Sequence, residues 1–259
     1  MKLFLLTLSV ALALVAGSPA HLNRTETPES RIVNGYPAYE GKAPYIVGLY
    51  LGSDGGGDAF GAGSIIANDW ILTAAHCLTT DYVEIHYGSN WSWNGAYRQH
   101  VRSDNFIRHP DWPNRGGADI GLIRTPHVDF SSLINKVALP SMNEQNDRFQ
   151  NTWVVACGWG GMDNGNFAEW LQCADVQVIS NSECEQYFGS VASNDMCVRN
   201  TDGKSSCGGD SGGPMVTHDN PRLVGVITFG SADCHSGPSG GTRVSDYLGW
   251  IRDNTGISY

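Results

Sequence analysis

The chain has 259 residues, 16 basic and 26 acidic side chains, a net charge of −10, 32 glycines and seven cysteines. Glycine without a triplet period excludes collagen, 41% hydrophobic residues with 10% aromatics exclude a disordered chain, and the acidic balance lacks the basic footprint of a nucleic-acid binder. The length suits one large domain or two small ones, and the odd cysteine number asks for an explanation.

Met1 to about Ala20 reads as a secretory signal: Lys2, then the apolar run Leu3 to Val15, then small residues up to Ala20. No later stretch approaches the roughly 18 apolar residues of a membrane helix, so a secreted protein without membrane attachment is expected. Its cysteines should then mostly be disulfides. Residues 21–31 are polar and contain Pro28, the pattern of a short pro-segment. It ends in Arg31, and Ile32-Val33-Asn34-Gly35 opens an apolar region.

From Ile32 onward, short β-prone runs are broken by Gly, Asn, Asp and Pro. They are Tyr45–Leu51, Ser64–Ile66, Trp70–Thr73, Tyr82–Tyr87, Gly121–Arg124, Trp153–Ala156, Ala174–Ile179 and Leu223–Phe229. The spacing predicts an all-β protein of barrels or sandwiches. Only the C-terminus reads as helix, with Ser245 as cap and Tyr247, Leu248, Trp250 and Ile251 at helical spacing. The polar stretch Pro140–Asn151 is a break between two halves of similar size.

Three local motifs supply the parts of nucleophilic acyl transfer. They are Leu72-Thr73-Ala74-Ala75-His76-Cys77, Ala118-Asp119-Ile120-Gly121-Leu122-Ile123 and Gly208-Gly209-Asp210-Ser211-Gly212-Gly213-Pro214. A serine hydroxyl needs a base within hydrogen-bond reach, and the base needs an orienting group. Imidazole is the natural base near neutral pH, and a carboxylate fixes its tautomer. Glycines around Ser211 let backbone N–H groups converge on a developing oxyanion.

With Ile-Val-Asn-Gly at 32–35, Gly-Trp-Gly at 158–160 and the order His, Asp, Ser, these motifs resemble the trypsin/chymotrypsin-type serine proteases across Ile32–Tyr259. The style is that of insect digestive, Jonah-type enzymes. The resemblance implies two six-stranded antiparallel β-barrels, about 32–142 and 143–259, with the active site between them and a C-terminal helix. It implies Ser211 as nucleophile, His76 as general base then acid, Asp119 as its orienter, and the Gly209 and Ser211 amides as oxyanion hole. It also implies a zymogen in which a trypsin-like protease cuts after Arg31 and the freed Ile32 amine pairs with Asp210.

The base of the specificity pocket lies six residues before the nucleophile in this family, here Ser205, with Thr228, Phe229, Gly230 and Gly240 in the remaining substrate-binding positions. Phe229 stands where the family usually has Trp. The Gly240 position depends on a loop, Cys234–Arg243, one residue shorter than in chymotrypsin. An uncharged pocket base predicts a large apolar or aromatic P1 residue, because a buried unpaired Arg costs more than it gains. Asp233 and His235 fall on the rim.

The resemblance pairs Cys184 with Cys197 and Cys207 with Cys234. Cys157 and Cys173 are expected to pair by elimination and by analogy with insect relatives. Cys77 is left as a free thiol, because the family places its partner where this chain has Gly61. Asn23 and Asn90 begin glycosylation sequons. No cofactor and no metal site are expected. The expected partners are protein or peptide substrates, the activating protease and protease inhibitors, acting on a monomer. Two other readings stay open: a catalytically silent homologue that binds protein, and a regulatory cascade protease.

Overall fold

The computed structural model describes residues 35–113, 117–145, 147–162, 166–200 and 205–258. The signal segment, Arg31 and Ile32 lie outside them. Fourteen strands and two α-helices run in chain order as β1 (Tyr36–Pro37), β2 (Ile46–Gly52), β3 (Ala59–Ala67), β4 (Trp70–Thr73), β5 (Tyr82–Tyr87), β6 (Tyr97–Arg102), β7 (Phe106–Arg108), β8 (Gly121–Arg124), β9 (Trp153–Gly158), β10 (Gln172–Ile179), α1 (Asn181–Phe188), β11 (Asp195–Arg199), β12 (Pro214–Thr217), β13 (Leu223–Phe229), β14 (Ser239–Arg243) and α2 (Leu248–Thr255).

They form two antiparallel sheets, each curled around its own core. The first has the order β6-β5-β2-β3-β4-β8-β7. Its end strands β6 and β7 are joined by the single turn Ser103–Asn105. Among the described residues no pairing closes this seven-stranded sheet, so it is a half-barrel and not the closed six-stranded barrel expected. Val47, Leu49, Ile65, Ile71, Leu72, Val83, Ile85 and Leu122 fill it with almost no solvent exposure. Each such side chain contributes roughly 1.5–3 kcal/mol on burial.

In the second sheet, β9, β10, β11, β14, β13 and β12 close into a six-stranded barrel through the β9–β10 pairing, and β1 adds to the outside of β10. The most N-terminal strand thus belongs to the second barrel, with Tyr36 opposite Cys173. Disulfides join Cys157 to Cys173, Cys184 to Cys197 and Cys207 to Cys234. Cys77 is free and buried.

The helices differ from the sequence reading in two ways. Ser245 does not cap α2: it sits in the turn Val244–Tyr247, donates to the Asp147 carbonyl at 3.2 Å, and leaves Tyr247 at the cap position. The helix α1 is an addition. Ser180 caps it by accepting from the Glu183 amide at 3.1 Å, and Cys184 anchors its buried side through the bridge to Cys197.

Candidate active site

Between the barrels, β4 runs into the one-turn helix Ala75–Leu78, which presents His76 at the surface and buries Cys77. Asp119 lies two residues before β8, the strand paired with β4, so the two side chains arrive side by side. His76 Nδ1 and Asp119 Oδ2 are 2.6 Å apart, and the His76 amide donates to Asp119 Oδ1 at 2.8 Å. Both carboxylate oxygens are engaged, so the ring is fixed in position. Burial disfavours the imidazolium, but the Asp119 hydrogen bond and the adjacent Cys77 sulfur outweigh it. The His76 pKa therefore stands above the ordinary imidazole value.

The third motif forms a turn pinned from both barrels. The Ser211 carbonyl accepts from the Ala62 amide of β3 at 2.8 Å. Gly212 donates to Ile227 of β13 at 2.8 Å, and Ile227 returns a bond to Gly213 at 2.9 Å. Cys77 Sγ lies 3.7 Å from the Ser211 carbonyl, so the nucleophile turn and the His76 turn are in direct contact. The amides of Asp210, Gly212 and Gly213 are all spent on carbonyls. Those of Gly209 and Ser211 donate to nothing among the described residues. Gly209 has φ +96°, a backbone conformation that glycine adopts without strain. Two unspent amides flanking Asp210 have the character of an oxyanion hole.

Asp210 is fully buried. Its carboxylate accepts from the Gly160 amide at 2.8 Å and the Cys207 amide at 2.9 Å. Burial outweighs these bonds and pushes its pKa up to about 6. The Gly-Trp-Gly motif is explained here. A Cβ on Gly158 would lie 2.0 Å from Asp210 Oδ1, and one on Gly160 2.5 Å from its Cγ, while Trp159 between them donates to the Asn90 carbonyl at 2.8 Å. The chain has built a space for the carboxylate, and among the described residues no cation is paired with it. Ile32, the expected partner, and Arg31 lie outside those residues.

Ser205 is buried and donates to the Ser206 carbonyl at 3.0 Å. The open side of Gly230 faces the Ser239 Cβ and the Ser206 carbonyl, at 3.4 and 3.5 Å from where its own Cβ would be. Gly240 faces elsewhere: its Cβ would meet the Met196 carbonyl and the ring of Phe229, both at 2.5 Å. The structure thus brings Ser205, Ser206, Gly230 and Ser239 together. Ser239 was missed from sequence because one residue of loop shortening shifts the register by one, which exchanges the two faces of a strand. Thr228 and Phe229 lie at the end of β13, with Phe229 packed edge-on against Phe188. Asp233 on the rim is committed to its own loop. Bonds from Ser236 and the His235 amide hold its carboxyl well below the usual range.

The Asn90 sequon is structural. Asn90 is buried, its Nδ2 donates to the Ala38 carbonyl at 2.8 Å, and its carbonyl takes Trp159 Nε1 and the Leu171 amide. Asn23 lies outside the described residues. Among the described residues no group of three or more His, Cys, Asp or Glu has the arrangement of a metal site, and no helix is long and apolar enough to cross a membrane.

Comparison with known proteins adds an independent line. The family profile Trypsin matches residues 32–251. Serine protease 1 of Drosophila melanogaster is 52% identical over 245 residues, covering 91% of each chain. A collagenase of Hypoderma lineatum is 38% identical over 262 residues, covering 99% of each. A solved structure of HL collagenase superposes with a TM-score of 0.81 at 38% identity, covering 88% of this chain and all of that one.

Proposed function

The chain belongs to the trypsin family of serine proteases, and from that premise we propose a secreted endopeptidase that is made as a zymogen and cuts after large apolar or aromatic residues. The observation that carries the reading is the 2.6 Å contact of His76 with Asp119 beside a turn whose Gly209 and Ser211 amides are unspent. In this reading His76 takes the Ser211 proton as the hydroxyl attacks the scissile carbonyl. The two amides receive the oxyanion, and the ring then gives its proton to the leaving amine. Asp119 holds the ring in the required tautomer and stabilises its charged form. Water repeats the cycle on the acyl-enzyme.

Activation follows from Asp210. A buried carboxylate without its cation is strongly unfavourable, by roughly 3–5 kcal/mol. Cleavage after Arg31 supplies the Ile32 ammonium, and its insertion orders the loop that bears the two amides. The activating enzyme would be trypsin-like, given Arg at the cut.

For specificity, the buried neutral hydroxyl of Ser205 supports an apolar P1 side chain, which gains roughly 1.5–3 kcal/mol on burial. We place Ser239 rather than Gly240 in the pocket wall beside Gly230, which narrows the pocket and adds a hydroxyl. The committed Asp233 carboxylate offers little to a basic side chain. Three disulfides support an extracellular destination. The test is trypsin activation of the secreted chain followed by a peptide library varied at P1. Phe, Tyr and Leu should lead, and a library led by Arg and Lys would refute the assignment.

A further inference from the structure

We propose that Thr242 is a positioning residue for the catalytic groups: its hydroxyl, reaching across from the second barrel, fixes the main chain of Asp119 and through it the orientation of His76; this rests on the endopeptidase reading. Thr242 lies on β14 with no solvent exposure, and its Oγ1 donates to the Asp119 carbonyl at 2.9 Å. A fully buried strand position ordinarily suits Val or Ile, since a hydroxyl placed there must find a partner or cost free energy. This hydroxyl finds its partner on Asp119.

The contact matters because the reacting groups come from different sheets. His76 and Asp119 are carried by the first sheet, next to β4 and β8, and Ser211 by the segment between β11 and β12 of the second. The geometry of base and nucleophile is therefore only as exact as the bonds across the seam. On one side of the seam the Ala62 amide holds the Ser211 carbonyl at 2.8 Å. On the other, the Thr242 hydroxyl is the one hydrogen bond that reaches Asp119 from the second barrel among the described residues. The Asp119 carboxylate gives both its oxygens to His76. It can hold the ring only as precisely as its own backbone is held.

The main chain just before Asp119 is fastened to the same barrel. Tyr247 Oη donates to the Gly117 carbonyl at 2.5 Å, and Asn194 Nδ2 donates to Tyr247 Oη. Gly117 has φ +81°, and a Cβ there would lie 1.9 Å from Asn194 Oδ1, so the chain rests directly on the second barrel. Thr242 is the last fastening before the Asp119 side chain. The titratable groups around it are His76, Cys77 and Asp119 on the first sheet, Tyr247, Arg243 beside it in β14, and Asp195 opposite it in the β11–β14 register. Burial pushes the Asp195 carboxyl up to about 6. Asp195 is present in every variant below, so a difference between variants reports His76 and Asp119.

The test uses the secreted chain cleaved after Arg31, with two readouts on the wild type, Thr242→Val, Thr242→Ala and Thr242→Ser. The first is turnover of a peptide with Phe at P1. Thr242→Val and Thr242→Ala should each lower kcat roughly 2- to 10-fold with KM unchanged, the scale of one lost hydrogen bond. Thr242→Ser keeps the hydroxyl and should restore most of the loss. The second is the His76 imidazole titration followed by NMR, which needs no turnover. Against the pull of burial, the Asp119 hydrogen bond raises the His76 pKa, so a carboxylate out of line should lower it. The acid limb of kcat/KM should then move to lower pH in Thr242→Val and Thr242→Ala and return in Thr242→Ser. A loss of stability alone moves neither the His76 titration of the folded protein nor its kcat. No turnover by the wild type, together with a His76 titration that depends on the Thr242 hydroxyl, would refute the endopeptidase reading and support the positioning role. An unchanged His76 titration in both hydroxyl-free variants, or a loss that Thr242→Ser does not rescue, would overturn the positioning role.

Discussion

Gly61 and Cys77 face each other so closely that a Cβ on Gly61 would stand 3.2 Å from Cys77 Sγ. In a disulfide the corresponding cross-bridge distance is about 3 Å, set by the S–S bond length and sulfur geometry. The chain thus retains the geometry of a bridge whose second cysteine it lacks. Gly61→Cys should form that bridge under oxidising expression, take the free thiol count from one to zero, and raise stability by about 2–4 kcal/mol. Thiol titration and denaturant unfolding check this. The new Cβ would also lie 3.0 Å from the Ser211 carbonyl, so Gly61→Ala, which adds the crowding without the bridge, should be destabilised.

Asp210 sets a pH dependence with a definite sign. Its folded-state pKa, about 6, lies above the ordinary carboxyl value of 3.8, so the fold favours the protonated form. That contribution is fully present below pH about 4 and is lost as the pH rises through about 6, up to about 3 kcal/mol in all. The uncleaved Arg31→Gln precursor should therefore lose stability over this window relative to the same chain carrying Asp210→Asn. The cleaved enzyme, with an ammonium on Asp210, should not. Thermal unfolding from pH 3.5 to 7.5 compares the three.

The Asn90 side chain has no room for a sugar, since its Nδ2 already donates inside the fold. Intact mass of the secreted protein should show no glycan at Asn90. Asn90→Ala should be destabilised by roughly 1 kcal/mol, because one buried hydrogen bond is lost while Trp170 Nε1 still donates to the Ala38 carbonyl.

Ser205 and Ser239 should govern the P1 residue. Ser205→Asp places a carboxylate in the pocket and should move preference from Phe and Tyr toward Arg and Lys. Ser239→Gly should widen acceptance of the largest aromatics with little effect on Leu. Changes at Gly240 should act through Phe229 packing and lower expression or stability instead. Ratios of kcat/KM across P1 residues distinguish these outcomes.

What the sequence disclosed, and what it did not, follows from where the signals are local. Trp70–Thr73, Tyr82–Tyr87, Gly121–Arg124 and Leu223–Phe229 are strands at those bounds because dense β-branched and aromatic runs end at sharp turn residues. The strands β12 and β14 escaped notice, since Pro214 and Gly240-Gly241 are poor strand formers that tertiary pairing overrides. Pairing of His76 with Asp119 was legible through motif order. The Gly240 position was not secure, because register is a long-range property and a short loop hides it. The α1 cap, Ser180 followed by Glu183, was written locally and passed over.

The most direct measurement is active-site labelling. The secreted chain, before and after cleavage at Arg31, is treated with a fluorophosphonate and digested for mass spectrometry. A single adduct on Ser211, formed only after cleavage and lost in His76→Ala, is the predicted result. An active protein with no adduct on Ser211, or equal labelling of the uncleaved chain, would contradict the account.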